Sequence, residues 1–209
     1  MQIIKDIEQG SAEWLEMRLG MITASKMKDL MSNGRGSAPS KTAETYMFDL
    51  VAERMTGESK PFFENDAMRW GTETEDQARA MFELNEGVDV ENVAFIKRCD
   101  FVGVSPDGLI DSDGMLEIKC PTTTTQIRRF FTADYSADYH AQIQAQLWVA
   151  EREYCHFLSF DPRINTDASY LLKKVYRDEE YIKNMETKTA QFIETMKEML
   201  TKLGVQNDS

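Results

Sequence analysis

The apolar residues of this chain follow two periods, and the order in which they alternate outlines the fold. Ala43, Met47, Leu50, Val51 and Met55 recur at the spacing of one helix face, and Gly57 is placed to end that helix. A second helix is expected from about Asp66 to Asn85, closed by Gly87, and a short one from an N-cap at Thr23 to near Met31. The Gly- and Ser-rich stretch 32–40 between them reads as a surface loop. The pattern then becomes that of strands. Ala94–Lys97, Phe101–Val104, Leu109–Ile110 and Met115–Cys120 are short and separated by turn residues, as in an antiparallel meander, and Pro121 ends the last. Helical spacing returns over Asp138–Ala150, where Ala141, Ala145 and Trp148 share a face. Two strands, Tyr154–Phe160 and Ser169–Tyr176, precede a long amphipathic helix built on Ile182, Met185, Thr189, Phe192, Ile193, Met196 and Leu200. Helices flanking a central mixed β-sheet make an α/β (α+β) fold. A chain of 209 residues suits a single domain over 1–209.

Composition narrows the function. Hydrophobic residues make up 42% and charged residues 29%, with no run long enough to span a membrane and no apolar leader at the start. Cys99, Cys120 and Cys155 are odd in number and lack metal-ligand spacing, so they read as reduced, buried thiols of a cytoplasmic protein. His140 and His156 form no i, i+4 ligand pair, which argues against zinc. The net charge of −12 speaks against a nucleic-acid binder at first sight. The distribution softens that objection. Residues 17–41 carry Arg18, Lys26, Lys28, Arg35 and Lys41 against Asp29 alone, whereas 53–91 hold eleven acids and four bases. One face can therefore attract a phosphate backbone while another repels it.

The candidate chemistry lies in Ser105-Pro106-Asp107-Gly108 followed by Glu117-Ile118-Lys119. Pro-Asp-Gly alone is a turn signature, and Glu-x-Lys alone is an ordinary wet strand. Together they say more. A hairpin loop over Ser112–Gly114 would set Asp107 opposite Lys119 and diagonal to Glu117, with all three on one face. Two carboxylates and an ammonium at one place suit phosphodiester hydrolysis. Hard oxygen ligands from Asp107, Glu117 and the Ile118 carbonyl can hold Mg²⁺, and Lys119 can orient a water or stabilise charge on the phosphate.

With these residues in view, the chain resembles the PD-(D/E)xK nuclease superfamily. Within it, the closest resemblance is to the alkaline exonucleases of the phage lambda type, the YqaJ-like viral recombinase family. The motifs that carry the likeness occur in one order along almost the whole chain. They are Trp14 with Arg18-Leu-Gly-Met-Ile-Thr-Ala-Ser25, Trp70-Gly-Thr-Glu-Thr-Glu75, Ser105-Pro-Asp-Gly108, Leu116-Glu-Ile-Lys-Cys-Pro121, Tyr139-His-Ala-Gln142-Ile-Gln144 ahead of Trp148, and Asp161-Pro-Arg163. The resemblance implies a restriction-endonuclease-like core. It implies catalytic Asp107, Glu117, Lys119 and Glu75, with two Mg²⁺ ions (Mn²⁺ as a possible substitute) on Asp107, Glu117, Ile118 and Glu75. Glu73, two residues away, is the alternative to Glu75. Arg18, Ser25, Ser105 and Gln142 are implied to bind a DNA 5′ phosphate, and Arg35 to reach into the DNA.

The implied activity is 5′→3′ digestion of one strand of linear double-stranded DNA to 5′-mononucleotides, leaving a 3′ single strand for annealing. A homotrimeric ring, a single-strand annealing partner and a phage or prophage origin in a bacterial host belong to the same implication. Read without the family, Arg18 can pair with Glu13 or Glu16, and Gln142 and Gln146 share what would be an exposed polar face. The Met-rich last helix suits core, or a subunit or partner surface. An endonuclease of the same superfamily and a non-catalytic DNA-binding module are the competing functions.

Overall fold

The helices begin and end where local chemistry satisfies their free backbone groups. The computed structural model describes residues 1–34, 39–59, 65–132 and 134–205. β1 (Gln2–Ile4) and α1 (Ala12–Met17) lead into β2 (Ile22–Thr23), a 3-10 turn at 24–26 and α2 (Met27–Met31). Ser40 caps α3 (Lys41–Thr56), Asn65 caps α4 (Asp66–Glu86), and Gly57 and Gly87 end them at φ of 71° and 67°. Those left-handed positions favour glycine. Strands β3 (Phe95–Cys99), β4 (Val102–Val104), β5 (Gly108–Ile110) and β6 (Gly114–Lys119) follow. Then come α5 (Thr123–Phe130), α6 (His140–Ala150), β7 (Tyr154–Phe160), β8 (Tyr170–Tyr176) and α7 (Glu179–Lys202), the last capped by Asp178. Thr23 makes no side-chain cap; its N–H donates to the Tyr46 hydroxyl instead.

The strands form two four-stranded mixed sheets, ordered β1-β3-β4-β2 and β5-β6-β7-β8. The mixed α/β architecture matches the sequence expectation, but the meander does not run through. β3–β4 and β5–β6 are antiparallel pairs in different sheets. The chain breaks between them at Ser105-Pro106-Asp107, where Pro106 has no N–H for a ladder and its carbonyl accepts from Gln9 Nε2 at 3.0 Å.

The β5–β6 register also differs from expectation. Ile110 pairs with Gly114 and Gly108 with Leu116, so the loop is 111–113 rather than 112–114; the ladder ends at Gly108, and the Asp107 amide turns to the Leu116 carbonyl instead of standing opposite Lys119. Gly114 is a strand residue paired with Ile110 and Tyr154, and the Tyr154 ring would lie 2.7 Å from a Cβ there, so this strand position suits glycine. Asp111 takes the left-handed position of the turn instead, at φ 45°.

β6 runs parallel to β7 with Lys119 beside Ser159, and both faces of β6 are covered. On one face Ala78 and Phe82 of α4 pack with Leu116, Ile118, Leu158 and Phe160. On the other, Ile143 and Leu147 of α6 and Met185, Phe192 and Met196 of α7 pack with Met115 and Phe157, which makes α7 a core helix. Cys120 and Cys155 are buried as expected, but Cys99 is exposed. No helix among the described residues is long and apolar enough to cross a membrane.

Candidate active site

The site forms where β6, the break before β5 and helices α4 and α6 meet. Glu117 lies in the middle of β6 and is 1% exposed, yet it is a carboxylate in an apolar core. Its Oε1 accepts from Gln142 Nε2 and its Oε2 from Gln146 Nε2, each at 2.6 Å, and Lys119 Nζ donates to Oε1. Gln142 and Gln146 lie one turn apart on α6 and so face the strand together. This is not the exposed polar face that the glutamine spacing suggested. Gln146 is fully buried, and Gln144, on the other side, bonds the Tyr176 carbonyl and the Asp178 amide at 2.9 Å.

Asp107 immediately precedes the β5–β6 ladder; its amide donates to the Leu116 carbonyl at 3.1 Å and its Oδ2 accepts from the Ile118 amide at 2.5 Å. Gly108 beside it is required by close approach. A Cβ there would sit 2.1 Å from Val90 Cγ1 and 3.1 Å from Arg79 Nη1. That space lets Arg79 donate to the Asp107 carbonyl while its other amino group holds Glu75 at 3.1 Å. Glu75 is half-buried and feels Lys119 and Glu117, whereas Glu73 is exposed on the far side of α4. Sequence reasoning missed Arg79 and Gln146. The i, i+4 spacing of Glu75 and Arg79 was the available signal for the former.

The electrostatics follow from burial. Burial pushes Asp107 well above the ordinary carboxylate range, and Glu117 and Glu75 push it further. Burial also raises Glu75, against the pull of Arg79 and Lys119. For Lys119, burial acts to lower the pKa, but Glu117 and Asp107 outweigh it and the ammonium stays charged.

Among the described residues no three metal-ligating side chains converge as a ready-made cage. The donor set nevertheless fits a hard divalent cation. Three carboxylates share one neighbourhood, and two of them are raised, the condition that a cation relieves. Two surface clefts, of about 410 and 240 Å³, lie elsewhere. One borders Arg98, Trp148 and Glu186, the other Asn33, Met47 and Lys188, and neither includes these carboxylates.

Arg18, Ser25, Ser105 and Gln142 are only partly brought together. Arg18 donates to Ser105 Oγ at 3.4 Å and stacks 3.7 Å over the Trp14 ring, whose indole N–H also reaches Ser105 Oγ at 3.0 Å. Among the described residues Arg18 pairs with neither Glu13 nor Glu16, both of which are exposed. Burial draws its pKa down to about 10, against the opposing influence of Tyr46. Ser25 is exposed in the turn at 24–26, 3.5 Å from Thr23 Oγ1, and that turn packs on α6. Gln142 lies on Glu117 rather than on Arg18. Arg35 lies outside the described residues. Asp161 and Arg163 form a bidentate pair at 2.7 and 2.9 Å, and Arg163 stacks 3.8 Å over Trp70 on α4.

This combination of topology and clustered residues defines the class: the fold is the PD-(D/E)xK nuclease fold in the form taken by alkaline exonucleases. An alkaline exonuclease from Laribacter hongkongensis matches with a TM-score of 0.85 and 33% identity, over 93% of this chain and 96% of that one. Its complex with dAMP matches at 0.84, over 92% and 96%. The chain belongs to the YqaJ-like viral recombinase domain family, whose pattern covers residues 13–153. An uncharacterised protein of Acanthamoeba polyphaga mimivirus is 26% identical in an alignment of 179 residues that covers 76% of this chain and 30% of that relative's length.

The carboxylate cluster makes a prediction for the metal-free protein. An acid raised by folding destabilises the native state once pH exceeds its unfolded value of 3.8, and the deficit grows until pH passes the folded value. Asp107→Asn removes that repulsion. With divalent cations chelated, the variant should melt above wild type at about pH 8, and the gap should close as pH falls to about 4. Added divalent cation should stabilise wild type and not the variant. Identical melting curves across this range would contradict the account.

Proposed function

We propose that the protein is a Mg²⁺-dependent exodeoxyribonuclease acting 5′→3′ on one strand of linear duplex DNA. It releases 5′-mononucleotides and leaves a 3′ strand for recombination by annealing. The observation that carries this reading is the juxtaposition of the Asp107–Glu117–Lys119 cluster with Arg18, a half-buried guanidinium without an acidic partner among the described residues. Ser105, which Arg18 contacts, is two residues from Asp107, so an anion held there lies next to the carboxylates. The mononucleotide dAMP in the Laribacter hongkongensis enzyme supports the same substrate class.

Asp107, Glu117, Glu75 and the Ile118 carbonyl are the ligands proposed for two Mg²⁺ ions, with Mn²⁺ a chemically similar substitute. Bound there, the cations would polarise the phosphodiester and lower the pKa of a coordinated water. The chain's own residues do the rest. Lys119 Nζ, fixed beside Glu117, orients the attacking water or offers a hydrogen bond to charge developing on the phosphate. Gln142 and Gln146 hold the Glu117 carboxylate in one orientation. Arg79 does the same for Glu75.

Glu117→Ala and Lys119→Ala should both abolish cleavage, but for different reasons. The first should weaken Mg²⁺ binding in calorimetry, and the second should leave it largely intact. Substantial activity in either variant would remove this site from consideration.

The proposed pocket also distinguishes ends from interiors. Arg18 offers a terminal 5′ phosphate two donors, and Ser25 and Ser105 add neutral ones; Gln142 would join only by turning from Glu117. Charge-assisted hydrogen bonds of about 1.5–3 kcal/mol correspond to roughly ten- to a hundredfold in rate. A linear duplex with 5′ phosphates should therefore be degraded faster than one with 5′ hydroxyls, by about that factor. Arg18→Ala should erase most of the preference. Cutting of a nick-free circle would instead identify an endonuclease.

A homotrimeric ring and a single-strand annealing partner complete the proposal. A ring would keep a chain of net charge −12 on DNA by topology rather than by attraction. Sedimentation at micromolar concentration should then give about three times the 24.0 kDa chain mass. A stable monomer would exclude the ring.

A further inference from the structure

Arg129 is a second half-buried cation beside the site. It projects from α5 toward β7. Its Nη1 donates to Ser159 Oγ at 2.6 Å, and its Nη2 to the Tyr139 hydroxyl at 2.7 Å. Ser159 is the register partner of Lys119 on the neighbouring strand, and the Tyr139 ring lies 5.4 Å from Lys119 Nζ and 5.3 Å from the Arg129 guanidinium carbon.

The anchor is rigid. Ser159 is fully buried and donates to Gln126 Oε1 at 2.5 Å, while Gln126, also fully buried, donates to the Ser159 and Ala168 carbonyls at 2.9 Å. All of this fixes a positive charge with neutral partners. Arg79, Arg98, Arg163 and Arg177 each have a carboxylate. Arg129, like Arg18, has none among the described residues. A guanidinium has five donors, and two bonds leave the others for an anion.

The surroundings favour a nucleic-acid strand as the source of that anion. Arg128 is exposed, and Phe130 and Phe131 follow with 48% and 81% exposure, their rings edge to face at 5.4 Å. Cations beside open aromatic rings are what a DNA strand tracks along. The strand order β5-β6-β7 fixes the geometry. Arg18 approaches from the β5 side of Lys119 and Arg129 from the β7 side.

We propose that Arg129 is a substrate-binding residue that grips a backbone phosphate of the DNA strand, across the carboxylate cluster from Arg18. The two arginines would then hold the strand at two points, with the bond to be cut between them. This rests on the exonuclease reading, and deepens it. It turns a single end pocket into a two-point clamp, the kind of fixation that converts binding into positioning of the reacting bond.

The test is binding of a 5′-phosphorylated duplex by fluorescence anisotropy, across a KCl series, with divalent cations chelated so that nothing is cut. Arg129→Gln should weaken binding by roughly ten- to a hundredfold and reduce the slope of log affinity against log salt by about one. Arg129→Lys keeps the charge, so it should keep the slope while losing part of the affinity. Duplexes with one phosphate replaced by a neutral methylphosphonate locate the contact. At one position the replacement should weaken wild type and leave Arg129→Gln unaffected. If Arg129 only ties α5 to β7, both variants will melt lower with an unchanged slope and no position will show coupling, which overturns the proposal. Digestion by wild type after Mg²⁺ is restored reads the exonuclease assignment separately. No digestion with a reduced slope in Arg129→Gln would sink the assignment and leave the phosphate contact standing.

Discussion

The buried carboxylate of Glu117 is the constraint around which the rest of the site is arranged. Removing such an ion from water costs of the order of several kcal/mol. The fold offsets this with three donors, Gln142 and Gln146 from α6 and Lys119 from the same strand. Charge-assisted bonds of about 1.5–3 kcal/mol each suffice only if all three are made. The helix is therefore tied to the strand in one rotation and one register. Among its other buried residues, Ile143, Leu147 and Val149 take up core positions consistent with that rotation.

Around this anchored group the fold tolerates an unfavourable arrangement. Asp107 and Glu75 are pushed toward protonation by burial and by the Glu117 charge, and Arg79 bridges them without neutralising the set. A core optimised for stability would not place three acids here. The same crowding would favour a hard cation bound among these carboxylates, so that affinity for it and stability without it would be opposed through the same side chains.

Much of this was legible in the chain, for physical reasons that also show where legibility ended. Gly57 and Gly87 ended their helices because the left-handed position is a local requirement, and β7 followed from a local run of apolar and aromatic residues. Glu117 and Lys119 share a face because strand alternation is also local, and the hairpin leaves Asp107 close enough to feel both charges. The hairpin register was hidden because Gly114, which reads locally as a turn residue, packs against the Tyr154 ring forty residues on and belongs to the strand. Helix α5 was missed because it buries a glutamine, Gln126, instead of an apolar stripe. Gln146 looked like surface because its partner, the Glu117 carboxylate, is itself an exception to the rule that charges stay outside.

The parallel pairing of β6 with β7 has a consequence for how the site comes into being. Antiparallel neighbours can close through a short turn, but this pair is joined by a crossover of 34 residues containing α5 and α6, so its contacts form only after a long loop has closed. The glutamines that stabilise Glu117 travel within that crossover. A chain emerging during synthesis would therefore present both acidic segments of the candidate site well before it could hold them in working order. By this topology, assembly of the site waits on docking of the crossover and not on synthesis of the acidic residues themselves.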